Sequence, residues 1–121
     1  LSNKNVLLLG LAFKPDTDDV RESVSLRLLQ LLEDEVDKLF AHDPIAIDNS
    51  RVVLGEESKV IFCENWKAKR QEVDIVIIAT SWPQYRDIVT MGQLLSDKYV
   101  FDTRSLMNES DFSDAQYFSV N

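Results

Sequence analysis

Phe13, Lys14 and Arg21 stand close together in LGLAFKPDTDDVRES, residues 9–23, among four carboxylates and beside a single glycine, Gly10. An aromatic ring stacks on a base or sugar, an ammonium attracts an anion, and a guanidinium donates two parallel hydrogen bonds to a phosphate or carboxylate. Together these are tools for holding a nucleotide. The spacing opposes one version of that chemistry. A dinucleotide fingerprint, G-x-G-x-x-G, lets the backbone approach a pyrophosphate, and here Ala12 and Pro15 occupy the second and third glycine positions. Any anion gripped by this stretch is gripped by side chains. A purely structural arrangement is equally open, with Phe13 packed inward and Lys14 and Arg21 paired with Asp16, Asp18 or Asp19. Those acids also suit the start of a helix, or magnesium if a bound phosphate completed its shell.

Three further short stretches carry candidate groups. FDTRS, residues 101–105, presents Arg104 on what reads as the same rim as Lys14. ATSWPQY, residues 79–85, places Trp82 either as a stacking wall or as the cover of a helix start, the second being the reading favoured here. HDP, residues 42–44, puts Asp43 where a dinucleotide fold keeps its ribose-binding acid, but without a pyrophosphate loop Asp43 reads as a turn former. The single cysteine, Cys63, ends the apolar run KVIFC and is expected to be a buried thiol. With His42 the only histidine, no Cys/His set for zinc exists, and nothing pairs Cys63 with a base.

These loops need a scaffold. Short apolar runs bounded by polar residues predict strands at Asn5–Leu9, Lys38–Ala41, Val60–Cys63, Asp74–Ala79 and Tyr99–Asp102, with a weaker one at Tyr117–Val120. DIVIIAT, residues 74–80, does not alternate, as expected of a strand covered on both faces. Between Arg21 and Asp34, Val24, Leu28, Leu31 and Leu32 fall at i, i+4, i+7 and i+8, widened by Leu26 and Leu29, which predicts an amphipathic helix. Asp19 is the expected cap, with Glu22 in a capping-box spacing and Ser23 as a rival start. NWKAKRQE, residues 65–72, reads as a solvated helix. Pro83 opens another that carries Tyr85, Ile88, Leu94 and Leu95. Residues 43–59 read as a connection with at most a short helix or strand. Strands alternating with helices predict an α/β fold, a three-layer Rossmann-like sandwich with a mostly parallel sheet of five to six strands.

Composition sets the outer limits. The chain has 121 residues, 45% hydrophobic and 28% charged, as expected of one domain spanning residues 1–121. Thirteen Lys and Arg against 21 Asp and Glu give a net charge of -8, which repels a nucleic-acid backbone. No apolar run is long enough to span a membrane and no signal pattern opens the chain, so a cytoplasmic location is expected. The chain starts at Leu1 and enters NVLLLG almost at once, as a piece of a longer protein would.

GLAFKPDTDDVRES (10–23), HDP (42–44), DIVIIATSWPQY (74–85) and FDTR (101–104), in this order and spacing, resemble the C-terminal domain of the UDP-glucose/GDP-mannose dehydrogenase family. The resemblance covers essentially the whole chain. It implies a parent enzyme, expected to be a homo-oligomer, in which an N-terminal domain binds NAD and a central helical domain carries the catalytic cysteine. The C-terminal domain closes over a UDP-sugar, whose C6 alcohol is oxidised to a carboxylate for polysaccharide biosynthesis. By the same resemblance Phe13 and Lys14 lie at the nucleotide end of the substrate and Arg104 of the D-x-R motif reaches the same ligand. Arg21 approaches NAD across the domain cleft. Cys63 lies outside the family's cysteine motif, so this domain alone is expected to be catalytically silent.

The sequence departs from the family pattern at Val24, Ser81 and Thr103, and in EDEVDKLFAHDP, which lacks the usual Gly-Ala before its strand. These departures leave base and sugar open, including GDP-mannose and UDP-N-acetyl-hexosamine. Two other classes compete. A receiver-like signalling domain requires a phosphorylatable aspartate after its third strand, where Cys63 and Glu64 stand, and an independent NAD-binding domain requires the missing glycines.

Overall fold

The computed structural model describes residues 3–21, 23–95, 98–111 and 116–119, of which 90–95, 109 and 116 are described by backbone alone. Its strands are β1 (Asn5–Leu9), β2 (Lys38–His42), β3 (Ile61–Phe62), β4 (Ile75–Ile78), β5 (Tyr99–Asp102) and β6 (Gln116–Ser119). They form one six-stranded sheet in the order β3-β2-β1-β4-β5-β6, every neighbouring pair parallel. The expected sheet is therefore wholly parallel. Val120, expected in the last strand, lies outside the described residues.

Side chains alternate along a strand, so β1 serves two layers at once. Val6 and Leu8 join Leu39, Ala41, Leu26 and Leu29 on one face, under the helices α1 (Val24–Leu32) and α2 (Ile47–Leu54). Leu7 and Leu9 join Phe40, Val76, Ile78 and Val100 on the other, under Trp66, Tyr85 and Ile88. The four β1 residues Val6–Leu9 are essentially removed from solvent. Each such aliphatic side chain contributes about 1.5–3 kcal/mol relative to exposure.

The helix α1 forms as its periodicity predicts, but its buried stripe is turned. Ser25, Leu26 and Leu29 are buried, whereas Val24 and Leu31 face solvent at 75% and 67% exposure. Its cap is Ser23 rather than Asp19: the buried Ser23 hydroxyl accepts the Ser25 amide and donates to the Leu11 carbonyl, tying the helix start to the turn after β1. Glu22 lies outside the described residues. The connection 43–59 does hold a short helix, α2, which ends at Gly55 with φ 82° and ψ 173°, a backbone conformation that glycine adopts without a side-chain clash.

Two expected helices are instead 3₁₀ segments, Trp66–Lys69 and Pro83–Leu95. In the second, the β-branched run Ile88, Val89, Thr90 followed by Gly92 is weak α-helical sequence, and packing of Tyr85 and Ile88 into the core fixes the segment. The side chains of Leu94 and Leu95 lie outside the described residues. On β5 and β6, Phe118 stacks on Tyr99 and Phe101 at centroid distances of 6.5 Å and 5.1 Å, and all three rings stay partly in solvent.

The strand order positions the site. The chain builds outward from β1 through β2 to β3, then returns to place β4 on the other side of β1. Loops leaving β1 and β4 therefore diverge from adjacent strand ends and open the crevice where open parallel sheets bind ligands. A receiver-like fold is set aside by the same fact, since that class orders its strands 2-1-3-4-5.

Candidate functional site

The crevice is built from the backbone of Gly10–Phe13. Gly10 follows β1 with φ 102° and donates to the His42 carbonyl at 2.8 Å. A Cβ at this position would lie 2.3 Å from both Cβ and Oγ1 of Thr80, so the loops after β1 and β4 touch through a missing side chain. The fully buried Thr80 donates its hydroxyl to the Ala12 carbonyl at 2.7 Å. From below, Asp43 accepts the Leu11 and Ala12 amides on Oδ2, at 2.8 Å and 3.3 Å, and the Ile45 and Ala46 amides on Oδ1, both at 3.0 Å. The turn-forming role expected of Asp43 is thus real and reaches further than its own turn.

Phe13 emerges from this clamped stretch about half exposed, with the Lys14 ammonium 5.4 Å from its ring centroid. Arg104, two residues beyond β5, comes to the same rim. Its Nε donates to the Ala79 carbonyl at 2.9 Å and its Nη2 to the Phe13 carbonyl at 3.4 Å, while its backbone amide is held by Asp102. The guanidinium therefore rests on neutral carbonyls, one from each neighbouring loop. Among the described residues neither Lys14 nor Arg104 is in an ion pair. Two positive charges thus share one rim with an exposed aromatic ring. Asp16 and Ser105, next to these residues in the two loops, are the two non-glycine residues described with positive φ, 69° and 53°.

Arg21 goes elsewhere. It pairs with Asp19 through Nε and Nη2 at 3.1 Å and 2.9 Å, the local pairing its neighbours allowed, and its side chain stays 87% exposed. It borders a separate cavity of about 450 Å³, lined also by Asp18, Asn49, Val52 and Val53. Hydrogen bonding from Arg21 lowers the Asp19 carboxyl to a pKa of about 2. A carboxylate depressed below its unfolded value adds stability above that value and loses it as pH falls from about 4 toward 2. A carboxyl-resolved NMR titration is expected to find Asp19 titrating near pH 2 in the native chain and at a higher pH in Arg21→Ala, which removes the guanidinium but keeps the backbone amide that also donates to Asp19.

The remaining candidates are structural. Cys63 is buried, its thiol contacts the Ala41 carbonyl at 3.5 Å, and burial pushes its pKa up, which disfavours the thiolate. The His42 ring meets the Tyr85 hydroxyl at 3.0 Å and burial lowers its pKa, favouring the neutral form. Trp82 packs against the core beside the start of the 83–95 segment, as the covering role predicts. Among the described residues no group of three acidic, histidine or cysteine side chains is placed to hold a metal ion, and no helix is long and apolar enough to cross a membrane. A dinucleotide does not fit the turn after β1, because two of its three glycines are absent and the Leu11 and Ala12 amides are occupied. Sequence reasoning missed Thr80, which orients the turn after β1 from 68 positions away, Asp102, which holds the Arg104 and Met107 amides of its own loop, and the contact of Ser23 with Leu11.

The sequence profile described as the UDP-glucose/GDP-mannose dehydrogenase family, UDP binding domain, matches residues 7–109. UDP-glucose 6-dehydrogenase TuaD of Bacillus subtilis is 31% identical over 119 residues, which are 97% of this chain and 25% of that protein. UDP-glucose 6-dehydrogenase of Rickettsia felis is 30% identical over 110 residues, 89% of this chain and 24% of that protein. This chain thus spans about a quarter of the length of these relatives. Among solved structures, a UDP-glucose dehydrogenase from the hyperthermophilic archaeon Pyrobaculum islandicum superimposes with a TM-score of 0.80 at 38% identity, covering 98% of this chain and 25% of that one. A ternary complex of GDP-mannose dehydrogenase from Pseudomonas aeruginosa gives 0.71 at 25% identity, with 96% and 28% covered.

Proposed function

Since the chain belongs to the UDP-glucose/GDP-mannose dehydrogenase family and matches its UDP-binding domain, we propose that it holds the nucleotide end of a UDP-sugar for an NAD-dependent oxidation of the sugar C6 alcohol to a carboxylate. The observation that carries this reading is Arg104, cationic and held by carbonyls of two loops, on one rim with Lys14 and Phe13. Lys14 and Arg104 supply the charge for a diphosphate. Arg104 has five N–H donors and commits two, so three are left for oxygen acceptors. Phe13 supplies a face for the base or sugar.

NAD, held by a separate domain of the parent, would accept the hydride. Arg21 is the residue of this domain that we assign to it, its guanidinium being exposed enough to reach an anion across a domain cleft. UDP-glucose is the favoured substrate because relatives of 30–31% identity carry that name. The parent is then a cytoplasmic homo-oligomer that combines this domain with N-terminal and central domains of the same chain, and its uronate product feeds polysaccharide biosynthesis.

Amide NMR titration of the chain with UDP, UDP-glucose and GDP tests the reading. UDP and UDP-glucose are expected to shift resonances of residues 13, 14 and 104. Lys14→Ala and Arg104→Ala should each weaken binding by roughly ten- to a hundred-fold, the loss of one charge-assisted contact. No shift at those residues with millimolar UDP or UDP-glucose overturns it.

A further inference from the structure

We propose that Asp43 is a built-in anion: its carboxylate holds the turn after β1 as a bound phosphate would, which bars a dinucleotide from that turn and positions Phe13 and Lys14 for a ligand held by side chains. The part concerning the ligand rests on the UDP-sugar reading; the part concerning the turn does not.

A phosphate in the nucleotide-binding version of this fold sits on backbone amides of the turn that follows the first strand. Here the Leu11 and Ala12 amides converge on one carboxylate oxygen of a side chain that leaves the end of the neighbouring strand, 32 and 31 positions along the chain. Asp43 is 2% exposed, and its second oxygen takes two more amides from its own loop, Ile45 and Ala46. Four donated hydrogen bonds are what a buried carboxylate needs in place of water.

The carbonyls of the same turn are equally committed. Leu11 accepts from Ser23, Ala12 from Thr80 and Phe13 from Arg104. The backbone of Leu11 and Ala12 thus has its amides and carbonyls satisfied from inside the protein, and a ligand at this rim meets Phe13 and Lys14 instead. An acid at the ribose-binding position of a dinucleotide fold has been turned inward. A displacement of the turn by even 1 Å moves Phe13 relative to Arg104, which is why Asp43 acts as a positioning residue without touching the ligand.

Asp43→Ala removes the carboxylate and leaves room for a small anion. In that variant, sodium formate is expected to return the Leu11 and Ala12 amide resonances toward their native positions, and inorganic phosphate to perturb the same two amides, whereas sodium chloride at equal ionic strength does neither. Native protein should show no formate or phosphate effect at those amides. UDP affinity should fall about ten- to a hundred-fold in Asp43→Ala and recover with formate. Should Asp43→Ala not fold, Asp43→Asn, which keeps one acceptor, is expected to remain folded with altered Leu11 and Ala12 amides and weakened UDP binding. A folded variant whose Leu11 and Ala12 amides ignore formate, or an Asp43→Asn chain with native amides, overturns the internal-anion role. Native UDP affinity in a folded variant overturns the positioning role alone. Absence of UDP binding by the native chain would count against the UDP-sugar reading and leave the amide experiment as the measure of the turn.

Discussion

Gly10→Ala is expected to lower the stability of the chain by about 3–5 kcal/mol, combining backbone strain with overpacking. The new methyl would sit 2.3 Å from the Thr80 side chain and 2.7 Å from the Thr80 backbone nitrogen. Neither loop yields cheaply, because Gly10 is bonded to His42 in β2 and Thr80 to Ala12. Domains of this size hold about 5–15 kcal/mol in all, so the loss is a large fraction, worth roughly 10 °C or more in melting temperature. Gly55→Ala is the control: φ is also positive there, at 82°, but no atom lies within 4 Å, so only the conformational cost of about 1–3 kcal/mol applies, without the overpacking. Thermal unfolding followed by circular dichroism compares the two, and equal midpoints would contradict the account of Gly10.

The second large effect is expected at Asp102, the last residue of β5. Its carboxylate is completely buried, with Oδ1 accepting the Arg104 amide and Oδ2 the Met107 amide, and the Tyr117 hydroxyl of β6 lies 2.8 Å from Oδ2 and from the Met107 carbonyl. The hydroxyl donates to one of these at a time. Asp102→Ala strips the acceptor from both amides at once. The orphaned Met107 amide is buried and costs about 1–3 kcal/mol, and the part-buried Arg104 amide less, so a loss of about 2–4 kcal/mol is expected in urea unfolding, with a smaller loss for Asp102→Asn, which keeps one acceptor. Since Asp102 also holds the backbone of Arg104, UDP binding should weaken in the folded fraction. A native unfolding midpoint for Asp102→Ala would refute the assignment.

How much of this was legible in the sequence depends on where each group finds its partner. The strands were, because runs such as NVLLLG and DIVIIAT are apolar on both faces and must be buried between layers. A pairing between near neighbours such as Arg21 and Asp19 was visible as one option among several. The long 3₁₀ segment was not, because periodicity reads apolar spacing and is blind to the weak helical preference of Ile88, Val89, Thr90 and Gly92 once packing decides. Asp43 and Thr80 look like ordinary loop residues in the sequence, and Asp102 like the end of a strand. The Thr80 acceptor sits 68 positions away and the Asp43 donors in the turn after β1 sit 32 and 31 away, and only the sheet order brings these together. The same holds for the turned stripe of α1, where the docking of Ser23 on Leu11 sets the rotation of the helix and exposes Val24 and Leu31.

The placement of β1 between β2 and β4 also governs how the chain reaches this state. Val6 pairs with Leu39 on one edge and with Ile75 on the other, so a ribosome that has delivered β1 through β3 has produced a half-sheet whose central strand still shows an open margin. Closing that margin is a long-range event, slow for parallel strands, and until it happens a neighbouring nascent chain can offer the same strand in place of β4. Residues 1–63 already hold 12 Asp and Glu against 7 Lys and Arg, and this excess of negative charge keeps such half-made copies apart by mutual repulsion while each waits for its own fourth strand.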